Sequence, residues 1–160
     1  MVIAHIKFRG LLFLFITIQI QCQSPKPIEG SDENIREEVL KAFNEMYDTY
    51  SEGTDEYFKY FEQDFVRVGT DGNIISGLEQ PKTDWNELLS KYKMKLISYG
   101  QPKLVIGTGQ VVTINSYDEM FINNESSDTI FVEGIYIATW RRQNDANWKI
   151  SMDTWHAKQE

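Results

Sequence analysis

The chain has 160 residues, of which 41% are hydrophobic and 25% charged, a balance that suits one globular domain and excludes a disordered or repeat protein. Sixteen Lys and Arg stand against 24 Asp and Glu, a formal charge of −8, and this acidity repels nucleic acid and anionic lipid surfaces. The one cysteine, Cys22, lies near the start, so the body of the protein has no disulfide and no thiol nucleophile.

Residues 1–24 read as a signal peptide. Lys7 and Arg9 form a basic start, and Leu11 to Ile20 form an apolar run that is short of the roughly 20 residues a membrane span requires. Cys22 follows the run directly, where a lipoprotein signal places its acylated cysteine. Gln19, Ile20 and Gln21 precede it instead of small residues, and an ordinary cut after Ser24 finds small Cys22 and Ser24 flanking Gln23. Both routes stay open. Each gives an exported protein, periplasmic, secreted or lipid-anchored, whose only tie to a membrane is a lipid at Cys22. Removing the two basic residues of the leader leaves 14 basic against 24 acidic residues, a formal charge of −10.

Residues 25–30, with two prolines and a glycine, form a linker, and residues 31–160 form the domain. Ser31 is an N-cap with Asp32 and Glu33 in the first turn behind it. Ile35, Val39, Phe43, Met46, Tyr47 and Tyr50 recur at helical spacing until Gly53 ends the helix. Thr54 or Asp55 caps a shorter helix with Tyr57, Phe58 and Phe61 facing inward. Phe65 to Val68 turns extended, Asp71-Gly72 makes a tight turn, and Ile74-Ile75 completes a hairpin. Pro81 opens a third helix that carries Trp85, Leu88, Leu89 and Tyr92 on one face.

From Lys95 onward the chain reads as strands over 95–106, 110–122, 129–142 and 147–156, whose short connections imply an antiparallel meander. Gly100, Pro102 and Gly134 are positions for bends or bulges. In the last strand Trp148, Ile150, Met152 and Thr154 alternate with Lys149, Ser151 and Asp153, which makes the first set core and the second solvent-facing. The strand before it is apolar on both faces, Val132, Tyr136, Ala138 and Trp140 on one and Phe131, Ile135 and Ile137 on the other. With helices on one side, the other needs a second cover, so a homodimer through the outer sheet face is expected. Burying three such side chains contributes on the order of 5 kcal/mol per partner. The fold class is therefore α+β, a curved antiparallel sheet with three helices in its concave face.

Phe65-Val66-Arg67-Val68 leading to Thr70 through Gly77, Gly134-Ile135-Tyr136 with Thr139-Trp140-Arg141-Arg142, and Asn147-Trp148-Lys149-Ile150 with Thr154-Trp155-His156 resemble the nuclear transport factor 2-like superfamily. In particular the layout resembles that of exported SnoaL-like domains related to the calcium/calmodulin-dependent kinase association domain. The resemblance spans residue 31 to the end and implies a cone whose open end holds a small apolar molecule. It also implies a choice of roles among isomerases, dehydratases, polyketide cyclases and plain binding or assembly modules. The enzymes of the superfamily place an acid-base carboxylate or histidine inside the cone, and no catalytic motif of theirs transfers to this chain residue by residue.

His156 continues the parity of Trp148, Ile150, Met152 and Thr154, which puts an imidazole able to exchange protons near neutrality at the mouth of the cone. The bland alternative is a surface or core histidine. Alternation lets only one of Asp118 and Glu119 point inward, and Glu133 lies in the most apolar strand. A carboxylate in such surroundings ionises at a cost and can carry a proton, or else it faces an edge or pairs with Arg141 or Arg142. The candidate catalytic residues are thus His156, Asp118 and Glu133. Tyr47, Trp85, Tyr136 and Trp140, with His156, are candidate ligand contacts, because rings with polar tips line small-molecule pockets as readily as they fill cores. One histidine in the domain, no internal thiol and no Asp-x-Asp cluster leave too few metal ligands, and no motif calls for a cofactor. The expectation is an exported pocket domain that binds a small apolar or aromatic molecule, or assists an assembly, without catalysis. The alternative is an acid-base enzyme of isomerase, dehydratase or cyclase type.

Overall fold

The computed structural model describes residues 28–158; the signal segment, Cys22 and residues 25–27 of the linker lie outside them. Helix α1 (Asp32–Asp48) starts where the capping pattern places it, with Ser31 Oγ accepting the Asn34 N–H at 3.3 Å. It buries Ile35, Val39, Phe43, Met46 and Tyr47. Helix α2 (Thr54–Phe58) follows Gly53, whose φ of +135° closes the intervening turn. Phe61, expected on that helix, instead opens strand β1 (Phe61–Val68) and is buried there. Strand β2 (Ile74–Ser76) forms the hairpin with β1, and helix α3 (Glu79–Lys91) begins two residues ahead of Pro81. Tyr92, expected on α3, starts the next strand.

The remaining strands are β3 (Tyr92–Tyr99), β4 (Lys103–Gly107), β5 (Gln110–Asn123), β6 (Thr129–Arg142) and β7 (Trp148–Ala157). The stretch 95–106, expected as one strand, is split by Gly100, Gln101 and Pro102 into β3 and β4, which pair with successive parts of the long β5. The strand order is β2-β1-β7-β6-β5-β3, with β4 also on β5, in an open, curved sheet. Every pair is antiparallel except β1 with β7, so the β1-β2 hairpin is joined to the meander by a parallel ladder. The three helices cover the concave face, as expected. Between them lies the core, in which Phe43, Phe65, Val111, Trp140 and Ile150 are fully buried, each contributing about 1.5–3 kcal/mol through the area removed from water.

The last strand departs from simple alternation. Trp140 pairs with Ile150 but Thr139 pairs with Met152, so Ser151 is an extra residue in β7, a β-bulge that reverses the facing of everything after it. Trp148 and Ile150 point into the core as expected. Beyond the bulge, Asp153 is fully buried and Met152 is 39% exposed, the opposite of the expected assignment.

Candidate functional site

A cavity of about 460 Å³ lies between the helices and the concave face. Its mouth runs past exposed Asp71, Asn73 and Asp84, and its walls are largely aromatic. Two polar constellations project into or beneath it.

The first forms the floor. The bulge at Ser151 turns Asp153 inward, and the parallel register sets it beside Arg67 on β1. The Arg67 guanidinium donates Nε–H to Asp153 Oδ1 at 3.0 Å and Nη2–H to Oδ2 at 2.8 Å, and the Tyr136 hydroxyl donates to Oδ2 at 2.9 Å. Burial pulls the guanidinium pKa down, but the hydrogen bonds and charge of Asp153 more than offset this, so Arg67 stays charged. Its plane lies 4.8 Å over the Trp155 ring, a cation–π contact at the cavity edge.

The second forms a wall. Glu119 on β5 points inward between Tyr117 and Phe121, and the hydroxyl of Tyr50, in the turn that follows α1, donates to its Oε2. Burial raises the Glu119 pKa, and the Tyr50 hydrogen bond opposes part of that rise. Burial also holds the phenols in their protonated form: Tyr117 is pushed up to about 12, with the Glu119 charge adding to the effect. Tyr47, Tyr50, Tyr57 and Tyr136 are raised as well, first by burial. At neutral pH these hydroxyls are hydrogen-bond donors and acceptors rather than bases.

Among the expected ligand contacts, Tyr47, Trp85 and Tyr136 line the cavity. Trp85 stacks on Tyr57 with ring centroids 4.8 Å apart, and Tyr47 receives a hydrogen bond from Asn115 Nδ2 at 2.8 Å. Trp140 does not line it; it is fully buried in the core, where its indole N–H donates to Thr113 Oγ1 at 2.9 Å.

The three candidate proton carriers lie elsewhere. His156 pairs with Ile135 on the outer face and is exposed, because the bulge moves it off the inward row. Asp118 faces outward and accepts the Ser98 hydroxyl at 2.5 Å. Glu133 pairs with Lys158 at 3.1 Å rather than with Arg141 or Arg142, which contact Glu62 and Glu38. The structure brings Glu119, Tyr50, Arg67, Asp153, Tyr117 and Trp155 together in their place. A weak signal favoured Glu119 over Asp118, since it shares the strand parity of Tyr117 and Phe121. Nothing in the alternation of β7 marked Asp153 as buried.

No protein-family profile matches the chain, and no curated protein does. Solved structures do match. A ketosteroid isomerase-like protein from Erwinia carotovora atroseptica superposes with a TM-score of 0.70 at 8% identity, covering 81% of this chain and 100% of the other. A nuclear transport factor 2-like superfamily protein from Salmonella enterica gives a TM-score of 0.66 at 13% identity over 81% and 95%. The CaMKII hub of S. rosetta gives 0.64 at 15% identity over 76% and 95%. The fold is nuclear transport factor 2-like, as the sequence resemblance implied.

Proposed function

We propose that this domain binds a small, largely aromatic or apolar molecule in the cavity of its cone, without transforming it, and does so outside the cytoplasm as a homodimer. The observation that carries the binding reading is the cavity itself: about 460 Å³ of space beside a well-packed core, walled by rings and furnished with a few fixed polar groups. Ligand sites have this composition, apolar area for affinity and a few polar groups for orientation.

The dimer rests on the outer sheet face, where Phe131 is 68% and Ile135 43% exposed along β6 and Met152 on β7, opposite Thr139, is 39% exposed. A second copy is the occupant that such a face accommodates by two-fold symmetry. Export, with either a lipid on Cys22 or a free N-terminus near Pro25, is supported by the basic start and apolar run of residues 1–24.

An acid-base reaction is the second reading, favoured by one observation: the carboxyl of Glu119 sits in the cavity with a raised pKa, the condition for a proton carrier. In that reading Glu119 takes the role expected of His156, Asp118 or Glu133, with Tyr50 as its orienting donor. The ketosteroid isomerase-like neighbour shares the fold with this chain and lends the reading no residue.

One experiment addresses the main reading. Native mass spectrometry of the protein purified from its own envelope fraction reports subunit number, the mass of the N-terminus and any retained small molecule together. A dimer of the shortened chain carrying a removable ligand is the expected result; a bare, full-length monomer refutes it.

A further inference from the structure

The charge around the cavity is one-sided. Among the described residues, Glu119, Asp71 and Asp84 line it, no lysine does, and the one basic residue that does, Arg67, is already matched by the bidentate contact to Asp153. None of the three carboxylates has a cationic partner among the described residues: Asp71 accepts from the backbone and side-chain amides of Asn73, Asp84 accepts from Gln80 Nε2, and Glu119 accepts from Tyr50.

The rings stand in relation to that charge. Tyr117 and Phe121 flank Glu119 at the two-residue steps of one strand face, each attached about 6.8 Å from it along β5. Tyr50, which donates to Glu119, and Trp85 also line the cavity, and their rings meet edge to face with centroids 5.1 Å apart. The cavity of about 460 Å³ that these rings line has room for a group the size of trimethylammonium on an apolar body, and ring faces attract cations.

We infer that the cavity selects a small organic cation, an amine or quaternary ammonium carried on an apolar body, with Glu119 as its counter-charge and the rings of Tyr117, Phe121, Tyr50 and Trp85 as its cage. This rests on the binding reading of the same cavity and names the class of ligand. A positive group seated beside Glu119 offsets the desolvation that its carboxylate otherwise bears. The acidic mouth at Asp71 and Asp84 raises the local concentration of cations at the entrance. An anion would meet Glu119 with no free positive charge to receive it.

The test uses a matched pair of probes on the purified protein: benzyltrimethylammonium, and neopentylbenzene, which has the same shape with carbon in place of nitrogen. Isothermal titration calorimetry is expected to show the cation binding at least tenfold more tightly. Glu119→Gln is expected to remove most of that preference while leaving neopentylbenzene binding within about threefold of the parent. Phe121→Leu provides a second variant that leaves the carboxylate in place, and it is expected to weaken the cation more than its neutral twin. Equal or tighter binding of neopentylbenzene overturns the cation proposal and leaves the binding reading intact. Binding of neither probe overturns both, and a preference unchanged in Glu119→Gln overturns the role given to that carboxylate.

Discussion

Replacing Asp153 by Asn keeps the shape of the side chain and removes its charge, which isolates what the floor of the cavity contributes to stability. In the native protein the carboxylate receives two guanidinium N–H groups at 3.0 and 2.8 Å and the Tyr136 hydroxyl at 2.9 Å. The side chains of Arg67 and Asp153 are 10% and 0% exposed. In Asp153→Asn the guanidinium keeps its charge in the same buried position and loses its counter-charge. Breaking a buried pair from one side costs about 3–5 kcal/mol. That is a large part of the roughly 5–15 kcal/mol total of a typical domain. Urea unfolding followed by circular dichroism is expected to show a midpoint lower by roughly 2 M at unchanged slope, taking a slope of about 2 kcal/mol/M. Removing the whole constellation in Arg67→Met/Asp153→Leu/Tyr136→Phe strands no charge and no donor, so it is expected to cost less than the single change despite altering three residues. A loss below about 1 kcal/mol in Asp153→Asn would mean that solvent reaches the guanidinium and would refute the reasoning.

The raised pKa of Glu119 gives a pH dependence of definite sign. The folded protein holds this proton more tightly than the unfolded chain, so the associated stability is present below the ordinary carboxyl range, about pH 4, and is lost as pH rises through the folded pKa. Glu119→Gln is expected to gain in urea midpoint relative to the parent between about pH 4 and pH 8; a constant difference across that range would count against a buried, desolvated carboxyl. Gly134→Ala is expected to destabilise by about 1–3 kcal/mol, because its methyl group would stand 2.5 Å from the His156 carbonyl oxygen and 2.6 Å from the Tyr117 hydroxyl; an unchanged thermal midpoint would show that β6 and β7 can part there. Phe131→Lys places a charge on the outer face and is expected to turn a dimer into a folded monomer by sedimentation equilibrium, an expectation defeated if mass and spectrum both stay as in the parent.

What the sequence made legible followed from periodicity and end signals. Ser31 and the stripe from Ile35 to Tyr47 defined α1 because a cap and a 3.6-residue period agree there. The paired apolar faces of β6 were visible because Phe131 and Ile135 alternate with Val132 and Tyr136 over a long run. The ends of α2 and α3 were less legible, since Phe61 and Tyr92 suit a helix face as well as the first position of a strand. The site was harder for a physical reason. Alternation assigns faces correctly only while the ladder is unbroken, and Ser151 inserts one residue into β7 with no glycine or proline to mark it. One uncounted residue therefore exchanged His156 for Trp155 and Thr154 for Asp153 on the inner face. The ion pair with Arg67 was out of reach for a second reason, because it depends on the parallel ladder between β1 and β7, two strands far apart in the chain.

That inserted residue makes β7 a strand read in two phases. Before Ser151 the even-numbered positions answer to the core, and after it the odd-numbered ones answer to the cavity. A substitution scan along the strand would show sensitivity stepping through Trp148 and Ile150, then slipping by one to Asp153 and Trp155, like a message whose frame shifts at a single letter. Deleting Ser151 would restore one frame and transpose the two surfaces, delivering an imidazole to the interior and a carboxylate to the exterior. The chemistry of the cavity floor is, in this sense, held in place by a count rather than by any one side chain.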